Sequence, residues 1–176
     1  MDLFSIRPDA QRSTRRSRRP DVSEISHELL IGEFPRREDI SWLKETYRIA
    51  AVHSLQDKED LTIHALDLGA LREAYREHGI KFVHTPIQDG SADAMAERLE
   101  AALNDLGSLV AATRRVYLHC NAGMNRAPTL AIAFLRAYRQ MSLDEALAMV
   151  KKRRACGPFM TVLEEYFGPR DYKPRK

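Results

Sequence analysis

The chain has only two cysteines, Cys120 and Cys156, in 176 residues. That is too few for a disulfide scaffold, and a reducing cytoplasm is the expected setting. No apolar run approaches the roughly 20 residues that cross a bilayer, and no apolar signal-peptide core follows the polar N-terminus. Neither Gly-x-x-x-x-Gly-Lys nor Gly-x-Gly-x-x-Gly occurs, which removes the common glycine-rich nucleotide loops. The six histidines are scattered and the two cysteines lie far apart. No metal and no other cofactor is therefore expected. Aromatics make up 7% of the chain. None forms a stacking platform beside a basic segment, so nucleic acid is not an expected partner. Trp42 and the tyrosines are expected in packing rather than in a sugar platform.

What remains is a globular composition, 44% apolar and 30% charged, in a length that suits one domain. The charge is uneven. Residues 1–20 carry Arg7, Arg12, Arg15, Arg16, Arg18 and Arg19 against Asp2 and Asp9. Residues 169–176 carry Arg170, Lys173, Arg175 and Lys176 against Asp171, so the body between them is mildly acidic although the net charge is +3. The expected organisation is a basic, solvated tail over 1–20, one folded domain over 21–168 and a basic C-terminal tail over 169–176.

Within that domain strands alternate with helices. Glu28–Gly32, Ile49–Leu55, Ile80–Ile87 and Val116–Cys120 read as strands. Arg37–Tyr47 and Leu66–Glu77 read as helices, and Gly79 stops the second. Met95, Leu99, Ala102, Leu103, Leu106 and Val110 mark one face of a long helix. Pro128 is placed where another helix opens. Ser142 and Glu145 form a capping-box pattern ahead of a further one, and Thr161–Phe167 makes the last. The expected fold class is α/β: a single domain with a central, mostly parallel sheet flanked by helices.

The strand ending at Cys120 runs directly into His119-Cys-Asn-Ala-Gly-Met-Asn-Arg126, and the helix signal follows. Strand, loop and helix N-terminus in that order make an anion site. The backbone N–H groups of Asn121, Ala122, Gly123, Met124, Asn125 and Arg126 can converge on one phosphate, and the helix dipole favours its charge. Gly123 permits close approach of the backbone, and Asn125 is expected to tolerate a left-handed conformation. The same field favours Cys120 as a thiolate, the nucleophilic form. Arg126 offers a planar fork of donors matched to phosphate oxygens, which lysine cannot reproduce. His119 is expected to support the loop by hydrogen-bonding its backbone. Asp89, in a turn before Gly90-Ser91, can protonate a leaving oxygen and then activate water. Asp93 competes for that role, but it falls at the start of a helix, where the dipole accounts for its charge.

The loop resembles the HCxxGxxR signature of dual-specificity protein tyrosine phosphatases, and the resemblance runs over about residues 25–168. Among them it is similar to the glucan phosphatases, laforin and the plant starch-phosphate phosphatases, whose loops read CxAGxGR. Leu55-Gln56-Asp57 with Asp60-Leu61, and Lys152-Arg153-Arg154-Ala155-Cys156-Gly157-Pro158, extend that similarity. The resemblance implies a cysteine phosphatase fold and a phosphocysteine intermediate, with Cys120 as nucleophile, Arg126 as clamp and Asp89 as general acid. It implies phosphorylated protein or phosphorylated polysaccharide as the partner, and no cofactor. Three positions depart from the pattern: Ala127 where most members have Ser or Thr, Asn125 in place of the glycine of CxAGxGR, and Gly90 after the acid. A catalytically weak phosphate-binding module is the alternative of another class. Cys156 is expected to be a buried structural thiol.

Overall fold

The computed structural model describes residues 18–173. Its sheet has five strands: β1 (Val22–Glu24), β2 (Leu29–Gly32), β3 (Ala51–Ser54), β4 (Lys81–His84) and β5 (Val116–His119), in the order β1-β2-β5-β3-β4. β2, β5, β3 and β4 run parallel; β1 pairs antiparallel with β2 at the edge. The helices are α1 (Ile40–Tyr47), α2 (Lys58–Ile63), α3 (Leu68–Glu77), α4 (Ala92–Thr113), α5 (Arg126–Tyr138), α6 (Leu143–Lys151) and α7 (Met160–Phe167). The α/β class and mostly parallel sheet follow the expectation. β1 and α2 had not been anticipated, because a three-residue edge strand and a six-residue helix carry almost no periodic signal. No helix among the described residues is long and apolar enough to cross a membrane.

Strand residues alternate between two cores, as the pleat requires. Leu30, Val52 and Tyr117 point to the face covered by Ile40 and Leu43 of α1 and Leu71, Ala74 and Tyr75 of α3. Leu29, Ile31, Ala51, Val116 and Leu118 point to the face covered by α4 and α5, with α6 and α7 packed outside. All six positions of the long helix stripe are buried there. The parallel strands are thus covered on both faces, and the loops that leave their C-terminal ends gather at one edge of the sheet.

Both ends of the described chain are held to the domain. Residues 18–20 are held by the domain: Arg18 pairs with both carboxylate oxygens of Glu33 at 2.8 Å, and Arg19 reaches Asp39 at 3.1 Å and stacks over Trp42. The rest of the basic tail, residues 1–17, lies outside the described residues. At the other end, Arg170 bridges Asp144 and Glu164, while Arg136 sits between the rings of Phe167 and Tyr172. Lys173 pairs with Glu145 at 2.9 Å, and residues 169–173 therefore fold back on α5, α6 and α7, because three acidic side chains and a buried guanidinium await them. Trp42 packs on the core covered by α1 and α3, edge-on to Tyr47.

Candidate active site

Cys120 is buried at the end of β5, and α5 begins six residues later at Arg126. The loop between them is held from outside by its carbonyl groups, one after another. The Cys120 carbonyl accepts from His119 Nδ1 at 2.9 Å, and that of Asn121 from the Phe34 amide at 2.8 Å. Arg154 donates Nη2 to Ala122 at 2.7 Å and Nε to Gly123 at 2.6 Å. The Gly157 amide reaches the Met124 carbonyl at 2.8 Å, and the Asn125 carbonyl accepts from Thr129 N and Oγ1. A trans peptide points its N–H opposite to its C=O. Six carbonyls turned outward therefore turn the N–H groups of residues 121–126 inward. None of the amides from Asn121 to Asn125 makes a hydrogen bond among the described residues.

Gly123 makes this possible. Its φ is +66°, and a Cβ there would stand 2.6 Å from the Gly32 carbonyl oxygen and 2.8 Å from Arg154 Nη2. Asn125 departs from expectation: its φ is −123°, not left-handed. Its side chain is tied down instead, donating Nδ2 to the Gly157 carbonyl at 2.6 Å, so the segment after α6 sets its backbone. Ala127 is buried and offers no hydroxyl, and the nearby Thr129 Oγ1 is committed to Asn125 O and Phe159 N. The Met124 side chain, within the loop, is exposed.

Arg126 has no solvent exposure and is divided by its contacts into a fixed half and an open half. Nη1 donates to Asp60 Oδ2 at 2.7 Å, to the Ile87 carbonyl at 2.8 Å and to Leu55 at 3.3 Å. Nε and Nη2, an edge able to chelate an oxyanion, make no hydrogen bond. Nη2 does lie 2.9 Å from Asp89 Oδ1, a charge contact without hydrogen-bond alignment. Burial opposes the guanidinium charge, but the Asp60 hydrogen bond and the negative charges at Cys120, Asp60 and Asp89 prevail, and its pKa is raised.

Asp89 is half exposed, in the turn before α4, and faces the Nη2 side of Arg126; Asp93 stands in the first turn of α4. His119 is buried, and desolvation lowers its pKa to about 4, so it is neutral at pH 7. Its Nδ1 faces a carbonyl, which can only accept, so Nδ1 carries the proton. This fixes the Cys120 carbonyl away from the loop's interior.

Three participants were not named as site residues from sequence. Asp60, buried on α2, braces Arg126 and also accepts from Asn121 Nδ2, while Asn121 Oδ1 accepts from Gln56 at 2.9 Å. Asp57 caps α2 and accepts from the Asp89 amide. Arg154 holds the loop from behind. The Asp57-x-x-Asp60 spacing is a capping-box pattern and a usable signal for α2; for Arg154 the signal is the family resemblance of residues 152–158, which marks the segment but not the role. Cys156 is only partly buried, not fully as expected, and burial raises its thiol pKa.

Residues 42–166 match the family model described as dual specificity phosphatase, catalytic domain. Among curated proteins, the amyloplastic phosphoglucan phosphatase DSP4 of Castanea sativa is 26% identical over 143 residues, covering 80% of this chain and 38% of that protein. The human dual specificity protein phosphatase 1 is 33% identical over 70 residues, 40% of this chain and 19% of that protein. The chain thus matches well under half the length of these relatives. Among solved structures, Tk-PTP in its active form superposes with a TM-score of 0.69 at 25% identity, over 82% of this chain and 94% of that one. A mouse putative dual specificity phosphatase has a TM-score of 0.65 at 20% identity, covering 89% and 92%.

Proposed function

Because the chain belongs to the dual specificity phosphatase catalytic domain family, we propose that it hydrolyses phosphate monoesters through a phosphocysteine intermediate. The observation that carries this reading is the loop with every carbonyl from Cys120 to Asn125 bonded outward, next to the open Nε–Nη2 edge of Arg126. Inward amides and a chelating guanidinium bind a phosphoryl group by its three non-bridging oxygens, in the ground state and as charge shifts in the transition state.

In this mechanism the Cys120 thiolate attacks phosphorus, the S–P bond forms, and the P–O bond to the leaving group breaks in line with it. Asp89 gives its proton to the departing oxygen. A water then attacks the phosphocysteine, Asp89 takes the proton from it, and the thiolate leaves phosphorus. The incoming phosphate takes over Nη2, which Asp89 contacts in the free protein, and Asp89 is left beside the leaving oxygen. Asp60 keeps Nη1 throughout. His119 stays neutral and takes no part in proton transfer.

The proposed substrates are phosphotyrosine, phosphoserine and phosphothreonine in proteins. A second reading, phosphoglucan, is favoured by one observation: the Castanea sativa match covers twice as much of this chain as the human one. The test is Cys120→Ser assayed with p-nitrophenyl phosphate, phosphopeptides and phosphorylated amylopectin. Turnover disappears on all of them while vanadate still binds if Cys120 is the nucleophile. Full turnover in the serine variant rejects the mechanism, and the preferred substrate of the wild-type protein decides between the two classes.

A further inference from the structure

We propose that Asp57 is a positioning residue for the general acid, holding the Asp89 turn against the phosphate loop. This rests on the reading of Asp89 given above. The segment after β4 runs beside the end of β3 and is tied to it at every second residue. The amide of Thr85 donates to Ser54 at 3.0 Å and that of Ile87 to Leu55 at 3.1 Å. The next amide in the series belongs to Asp89, but the next carbonyl of the partner segment, that of Gln56, is taken by His84 Nε2 at 2.7 Å, and α2 begins just beyond it. The carboxylate of Asp57 takes the carbonyl's place: Oδ2 accepts the Asp89 N–H at 3.1 Å. The side chain thus extends a backbone ladder by one rung, to the residue that carries the acid.

Asp57 is itself rigidly placed. Its Oδ1 accepts from the Asp60 amide at 2.8 Å, and its own amide donates to Asp60 Oδ2 at 2.9 Å. That same Oδ2 holds Arg126 Nη1 at 2.7 Å. One capping box at the start of α2 therefore fixes two things relative to each other, the clamp through Asp60 and the acid through Asp57. The Asp89 carboxylate has two further contacts: the Gly90 amide donates to Oδ1 at 3.0 Å, and Arg126 Nη2 lies at 2.9 Å. The second is the one a phosphate would displace, and the turn itself is half exposed with Gly90 at φ +67°, so the Asp57 rung is the backbone tie that remains. A proton donor misplaced by a fraction of an ångström loses most of its effect.

The test is Asp57→Asn, with Asp57→Ser as a second variant. Either can keep an acceptor for the Asp60 amide, since Asn and Ser are good N-caps, but neither supplies the second carboxylate oxygen that meets Asp89 N–H. Turnover of an alkyl phosphate is expected to fall about tenfold or more, part of the ~10²–10⁴ a positioned acid contributes. Turnover of an activated aryl phosphate, which leaves unaided, should fall less than about threefold, with vanadate affinity retained. Equal losses on both substrates with weakened vanadate binding would overturn the proposal, since α2 would then serve the clamp alone. Wild-type behaviour on both substrates in whichever variant folds overturns it as well. Asp89→Asn, run in parallel, separates the two ideas: if it lacks the leaving-group dependence, the role of Asp89 fails and this proposal with it; if it shows the dependence and the Asp57 variants do not, only the proposal fails.

Discussion

Asp60 and Arg126 meet at 2.7 Å with neither side chain appreciably exposed to solvent. An ion pair withdrawn from water is costly to half-remove, because the remaining charge stays buried without a partner. Asp60→Ala should therefore destabilise the fold by about 3–5 kcal/mol, read as a lower urea midpoint. Removing both charges in Asp60→Ala with Arg126→Met should cost less than the sum of the single changes. Additive losses would mean that the two charges are stabilised independently.

Arg126→Lys keeps the charge but not the fork. Lysine has one nitrogen to serve both Asp60 and the phosphate, while the arginine uses Nη1 for the first and leaves Nε and Nη2 for the second. Turnover should fall at least about a hundredfold. A variant within a few-fold of wild type would place the oxyanion clamp elsewhere.

Arg154 supports the loop from the side opposite the phosphate, through the carbonyls of Ala122 and Gly123. Without it those two peptides lose their outward anchors and can rotate, which takes the inward N–H groups with them. Arg154→Ala should weaken inhibition by inorganic phosphate by about tenfold or more, the scale of one hydrogen bond to a charged ligand. Arg154→Lys, able to reach one carbonyl, should fall between. Unchanged phosphate inhibition in the alanine variant would show that the loop holds its shape without the guanidinium.

Two buried histidines make stability depend on pH. Desolvation lowers the pKa of His119 to about 4 and that of His53 to about 3, whereas the unfolded chain protonates both near 6.5. Below that value the unfolded state binds more protons, so stability is fully present above about pH 6.5 and is lost on acidification. The slope is about 1.4 kcal/mol per pH unit for each group until its folded value is reached. His119→Asn, which can still donate to the Cys120 carbonyl, should flatten the fall in urea midpoint between pH 6.5 and 4. An identical slope in the variant would sink the assignment to His119.

The phosphate loop is legible in sequence because it is local, whereas Asp89, on a distant segment, is read only from its turn and from the family resemblance. Cys120 and Arg126 lie on one strand–loop–helix unit, and α4 announces itself by six apolar residues on one stripe, all of them buried. Asp60 reaches Arg126 across 66 positions, and Arg154 reaches Gly123 across 31. Contacts made by the fold leave no periodic mark in either segment. The backbone of Asn125 shows the same limit: its side chain suggested a left-handed residue, but Gly157, far along the chain, decides its conformation.

The last prediction separates two nearby carboxylates. Asp89 Oδ1 lies 2.9 Å from Arg126 Nη2, at the edge the phosphate would occupy, while Asp93 sits in the first turn of α4 after the Ser91 cap. A general acid is needed in proportion to the basicity of the oxygen it protonates. Asp89→Asn retains the shape of the side chain but carries no transferable proton. Its loss on an alkyl phosphate should approach the ~10²–10⁴ range of acid catalysis, and its loss on an activated aryl phosphate should be far smaller. Asp93→Asn should leave both rates within a few-fold, since its charge serves only the α4 dipole. Vanadate binding should survive in both variants, because the loop amides and the Nε–Nη2 edge of Arg126 are untouched. If Asp93→Asn carries the leaving-group-dependent defect and Asp89→Asn does not, the proton comes from α4 and the contact between Asp89 and Arg126 is only structural.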